Sequence, residues 1–278
     1  MILRAMTRVL VLVLLCGCAT TVPYTGAGPH PQLERGHPVP PIDALGNLLA
    51  VFPKLLLWDW RFANHYISPD TESYVVAYLA AREVEMLTDT QFRLNQWSPG
   101  NDLSRLVKNG HVGWPYRLIL GLPTTLIVDV LLPGRLFPWG DYYNPWTNTV
   151  HLYSNHSAIA LHEAGHAFDT GTQRFKGTYS AARLIPFVDL YQEWQASDDA
   201  IAYFEESGEQ DAELAAYKIL YPAFGTYVGA YIFPPIGTVA GAIAGHAAGR
   251  SKAALKTSRY RREAPAPSQP PQPVPTAP

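Results

Sequence analysis

The chain reads as a mainly helical α+β protein, with a helical core, a small sheet carrying an edge strand, and a glycine-rich apolar helical segment near its C-terminus. Three observations predict this. Helix start and stop signals bracket several runs with helical apolar spacing. Thr147 to Ser154 alternates and is rich in β-branched and aromatic residues, which is the strand signal. Gly237, Gly241, Gly245 and Gly249 recur every four residues, forming one stripe on a helix. At 278 residues and 47% hydrophobic, the chain can bury a sizeable core in one or two domains. A formal net charge of −2 gives no basic excess, so nucleic acid is excluded as an expected partner.

Residues 1–17 read as a signal peptide: Arg4 and Arg8 precede Val9 to Leu15, an apolar run too short to span a bilayer. The run ends in Leu15-Cys16-Gly17-Cys18, which resembles the bacterial lipobox. That resemblance implies that Cys18 is the acylated first residue of the mature chain. With Ala19 after it, it also implies the outer membrane, with the protein facing the periplasm. Cys16 and Cys18 are the only cysteines, so no disulfide is expected in the mature chain and no thiolate can ligate a metal in the folded part.

Residues 18–41, rich in Pro, Gly and Thr, read as a flexible tether. A folded domain is expected over 42–222. It opens with an apolar stretch, Ile42 to Trp60, read as a helix broken at Pro53. Ser68-Pro69-Asp70 starts an amphipathic helix that runs to about Leu87, with Ser68 as N-cap. Leu118 to Leu132 is apolar but interrupted, a core or membrane-surface segment. After the strand, a helix is expected from about Ser157 to Gly171, a second from Pro186 to Glu206, and a third from Gln210. Residues 223–250 form the glycine-rich segment, broken at Pro234-Pro235. Residues 251–278 read as a basic and then Pro-rich disordered tail.

His162-Glu163-Ala164-Gly165-His166 reads H-E-x-x-H, the pattern of zinc hydrolases. Helical residues i and i+4 share a face, so His162 and His166 can reach one metal ion, with Glu163 beside it as catalytic base. A further protein ligand is needed. Glu193 sits on the next helix, on a face continued by the small residues Ala196, Ser197 and Ala200, and a Glu on such an inward face needs a partner. Asp169 shares the face of His162 and His166 but lies roughly 10 Å along the axis from His162, so it is expected to orient His166 from behind.

This helix pair resembles the gluzincin class of zinc metallopeptidases, and its second helix resembles the E-x-x-A-D-x-x-A pattern of HtpX-type membrane-associated peptidases. Glu193, Ala196 and Ala200 match; Ser197 stands at the Asp position and Asp198 is displaced by one. The resemblance, covering roughly residues 144–206, implies a zincin-like core. It also implies Zn2+ on His162, His166 and Glu193, with Ser197 or Asp198 in support. Asn148 to Tyr153 would be an edge strand that pairs with an extended peptide. Tyr203, His151, His156 and Tyr179 are candidate donors to the substrate oxyanion. The function expected is a membrane-tethered zinc peptidase of the cell envelope, acting on a protein or peptide and held to the membrane through Cys18 and residues 224–249. The alternative is a non-catalytic envelope lipoprotein with a structural or degenerate metal site.

Overall fold

The computed structural model describes residues 22–23, 30–82, 87–138 and 140–263. Cys18 and the whole signal segment, residues 19–21 and 24–29 of the tether, Glu83 to Met86, Trp139 and the tail from residue 264 lie outside these.

The chain is mainly helical around a small mixed sheet. The sheet comprises β1 (Val22–Pro23), β2 (Leu33–Arg35), β3 (Gln91–Leu94), β4 (Tyr142–Asn144) and β5 (Thr149–Leu152), in the order β1-β2-β3-β5-β4. β2 runs parallel to β3 and β3 parallel to β5, while β4 folds back antiparallel on β5. Two expectations change here. β2 lies inside the stretch read as tether; pairing with β3 draws it into the fold. β5, expected at the edge, is bonded on both sides with all four residues buried, so β4 forms that edge. Alternation in a sequence reports a strand but not its neighbours, which come from distant residues.

The helices begin with α1 (Pro40–Leu49) and α2 (Val51–Leu57), bent by 52° where they meet at Ala50. The break falls one turn before Pro53, which α2 accommodates in its first turn, where the missing N–H costs nothing. α3 (Pro69–Ala81) is capped as its sequence suggests, with Ser68 Oγ accepting the N–H of Thr71 at 3.3 Å. α4 (Pro99–Lys108) leads to a helical run, Trp114 to Leu131, in which α turns alternate with π turns. That run is inverted in polarity. Thr125 and Asp129 face inward and are buried, while Leu118, Ile119, Ile127 and Leu131 are exposed.

α5 (Ser157–Thr172) carries the H-E-x-x-H residues. Its N-cap is His156, whose Nδ1 accepts the N–H of Ala158 at 3.2 Å. α6 (Lys176–Ala182) and α7 (Val188–Glu206) follow. The core lies between sheet and helices: Phe92, Leu94, Val150 and Leu152 meet Leu161 and Ala164 of α5, Tyr78 of α3 and Phe204 of α7. Burying each of the large side chains contributes roughly 1.5–3 kcal/mol.

α8 (Gln210–Ile232) and α9 (Ile236–Glu263) form a helical hairpin joined through Pro234-Pro235. The glycine stripe closes it from within. A Cβ on Gly241 would collide with the carbonyl of Gly225, and one on Gly237 with that of Gly229. The hairpin helices cross the expected boundary at 222/223 and continue past 250. Residues 251–263, read as the basic start of the tail, are helical. Lys256 explains why: its Nζ lies 2.9 Å from the fully buried Glu213 and 2.6 Å from Glu205, so the basic segment docks on α8 and α7.

Candidate metal centre

α5 presents His162 and His166 one turn apart, with ring centroids 4.7 Å apart and planes at 81°. α7 supplies Glu193, which is 2% exposed. His162 Nε2 stands 3.2 Å from Glu193 Oε2, and His166 Nε2 stands 3.4 Å from Glu193 Oε1. One ligand atom from each residue falls within 4.8 Å of the others. Donors about 2.0–2.2 Å from a tetrahedral zinc ion stand roughly 3.4 Å apart, close to the separation of each histidine nitrogen from its nearer carboxylate oxygen. Two imidazoles and one carboxylate are also a donor set that zinc accepts.

Close helix packing brings the donors together. A Cβ on Gly165, inside the H-E-x-x-H run, would lie 3.0 Å from the carbonyl oxygen of Ala196 and 3.2 Å from its Cα. Ala196 and Ala200 are fully buried against α5. The small residues on both helices let α7 approach near enough for Glu193 to reach the histidines.

The surroundings set the charge states. Ser197 Oγ lies 3.1 Å from His162 Nδ1. When Nδ1–H donates to Ser197, Nε2 keeps its lone pair for a metal. Burial opposes protonation of His162, but the hydrogen bond that its Nε2–H donates to Glu193 and the charges of Glu163 and Glu193 outweigh it and raise its pKa. Burial pushes His166 down to about 4. Burial also opposes ionisation of Glu193, yet the neighbouring His166 and His162 hold its carboxyl well below the usual range. Burial raises Glu163 to about 7, against the pull of His162. A carboxyl near 7 is poised for proton transfer at neutral pH.

Glu163, Glu193, Asp141 and Tyr227 line both arms of a cleft. One arm is apolar, walled by Leu56, Leu57, Phe62, Ile159, Leu220 and Phe224. The other is polar, with Tyr142 and Tyr143 of the edge strand, Asp169, Tyr179, Arg183 and Gln192. Sequence reasoning missed Arg183, whose guanidinium contacts Glu193 Oε1, and also Tyr227 and Asp141. None of these three belongs to a motif.

The remaining candidates fall as follows. Asp169 lines the polar arm but accepts from Tyr179 Oη and Gln173 Nε2, so its carboxylate is engaged away from His166. Asp198 is exposed on the outer face of α7. Its neighbour Asp199 pairs with Arg82 at 2.8 Å, leaving Ser197 as the side chain on His162. Of the four oxyanion candidates, Tyr179 lines the cleft. Tyr203 packs edge-on against Tyr78, and His156 caps α5. His151 is buried in a second convergent group of donors, with Asp102 and Asp129. No known family model, curated protein or solved structure matches this chain.

Proposed function

We propose that the chain is a membrane-tethered zinc peptidase of the cell envelope with a zincin-like centre. The observation that carries this reading is the convergence of His162, His166 and Glu193 beside Glu163 on the floor of a cleft. His162 Nε2, His166 Nε2 and Glu193 would hold the ion. Zinc bound there supplies Lewis-acid polarisation of a scissile carbonyl and acidifies a water molecule. Glu163 takes a proton from the attacking water and delivers it to the leaving amine as the C–N bond breaks. Ser197 keeps His162 in the ligating tautomer. Tyr227 lines both arms, and the charge of Glu193 keeps its phenol protonated, which makes it a candidate donor for the carbonyl oxygen. The outer edge of β4, whose Tyr142 and Tyr143 line the polar arm, offers an extended peptide a strand to pair with. Acylated Cys18 would hold the domain at the membrane.

The second reading is a non-catalytic envelope lipoprotein with a structural or degenerate metal site. It asks less of the geometry, because three convergent donors satisfy it completely. Arg183 favours it: a guanidinium on Glu193 Oε1 competes with a metal ion for that oxygen. Metal analysis combined with cleavage of casein or a peptide library separates the two. Under the peptidase reading, Glu163→Gln keeps its zinc and loses roughly 10²–10⁴-fold in hydrolysis. Cleavage at the wild-type rate by that variant overturns the role of Glu163. Stoichiometric zinc in a wild-type protein that turns over no substrate selects the second reading.

A further inference from the structure

We propose that Asp102, Asp129 and His151 form a second site, a closed structural one, for a divalent ion of the zinc type. The three residues come from α4, the 114–131 helical run and β5, and each is at least 98% buried. His151 Nε2 points at both carboxylates, 3.8 Å from Asp102 Oδ1 and 3.7 Å from Asp129 Oδ1. Neither His151 Nε2 nor Asp102 Oδ1 has a hydrogen-bond partner among the described residues. Buried polar atoms without partners are uncommon in native proteins and point to an absent ligand.

The separations favour an ion over a bridging water. Two groups sharing one water at about 2.8 Å from each stand roughly 4.5 Å apart. Ligands at about 2.0–2.2 Å from one metal ion stand roughly 3.4–3.6 Å apart. The observed 3.7 and 3.8 Å need a contraction of a few tenths of an ångström to meet the second condition.

The carboxylates are oriented from behind, as metal ligands generally are. Asp102 Oδ2 accepts from Arg93 Nη1 at 2.8 Å, which turns Oδ1 toward His151. Asn144 Nδ2 donates to Asp129 Oδ2 at 2.7 Å, while Tyr142 Oη donates at 2.7 Å to Oδ1, the oxygen that faces His151. The Tyr142 ring stacks on the His151 imidazole, with centroids 4.5 Å apart and planes at 14°. Charge points the same way. Arg93 offsets Asp102, while among the described residues Asp129 has no lysine or arginine in ion-pair contact. A divalent cation would offset the charge of Asp129 and tie β5, the strand beside the cleft's edge strand, to two helical elements. This site is independent of the peptidase reading.

The test is zinc stoichiometry in the full chain, with zinc alone as the probe. Wild type is expected to hold two equivalents and the His162→Ala/His166→Ala variant one. Adding Asp129→Asn to that variant should remove the last equivalent. A folded double-histidine variant that holds no zinc overturns the proposal, as does retention of one equivalent after Asp129→Asn. If either variant loses its melting transition, an anomalous map at the zinc edge on wild-type crystals decides. A peak bonded to His151 Nε2 supports the site, and none there overturns it.

Discussion

His156 caps α5 only while its imidazole is neutral, because the ring nitrogen that accepts the N–H of Ala158 is the one a proton would occupy. Burial, aided by the charge of Arg61 and opposed by Asp59, lowers its pKa to about 4. The folded value is below that of an unfolded histidine, so the unfolded chain binds the proton more readily. The stability this group contributes is therefore complete above about pH 6.5 and is lost as pH falls from there toward 4, by roughly 3 kcal/mol at most. His156→Asn keeps a capping side chain and does not titrate. Its urea midpoint should fall less between pH 7 and pH 4.5 than that of wild type. His65, also lowered to about 4 by burial, titrates equally in both proteins and cancels. Parallel pH profiles for the two proteins would refute the cap's role. At this scale the sequence was informative wherever a residue's partner lies on the same helix or one face away. His162, Glu163 and His166 follow from helical spacing, and Glu193 from its small-residue face. Arg183, Tyr227 and Asp141 reach the cleft by tertiary packing, which leaves no local signature.

Among the elements, the two-helix pair of α5 and α7 was legible because caps and small residues mark both its ends and its contact face. The sheet was not, since β5 pairs with residues about 60 positions earlier in the chain. The glycine stripe was visible, but its partner was not: the four-residue spacing suits a membrane neighbour as well as α8. The hairpin offers a direct check on which holds. A Cβ at Gly241 collides with the carbonyl of Gly225, which is backbone and cannot swing aside. Gly241→Val should therefore force α8 and α9 apart. Overpacking of this kind costs roughly 1–3 kcal/mol, which corresponds to a fall in melting temperature of about 2–12 °C for a chain of this size. Gly100→Ala is the control, since nothing lies within 4 Å of its added methyl, and its melting temperature should stay level or rise slightly. Equal melting temperatures for Gly241→Val and wild type would mean that the stripe does not close the hairpin.

Across the whole molecule, apolar side chains crowd one set of neighbouring elements. α2 packs on both helices of the hairpin, and the α1–α2 pair exposes Leu48, Phe52 and Leu55 while the hairpin turn exposes Ile232, Phe233 and Ile236. Phe187, exposed at the start of α7, stacks on Tyr231 near that turn with centroids 5.0 Å apart. Among the described residues no single helix is long and apolar enough to cross a bilayer, although the bent α1–α2 pair is so by length and composition. Helices that expose apolar faces without spanning length suit the plane of a membrane surface. The apolar arm of the cleft opens between α2 and α8, through Leu56, Leu57, Leu220 and Phe224. Docking through this face would bring the candidate metal centre up to the lipid boundary. We predict that a chain beginning at residue 19, which has no acyl anchor, still floats with vesicles of neutral and anionic phospholipid. Withdrawing one large apolar side chain from lipid costs roughly 1.5–3 kcal/mol. The triple variant Leu48→Glu/Phe52→Glu/Ile236→Glu should therefore lose at least tenfold in partitioning while keeping wild-type zinc content and melting temperature. Flotation unchanged by the three charges would remove this face from the membrane contact. Failure of the chain beginning at residue 19 to float would leave the proposed acylation of Cys18 as the route of attachment.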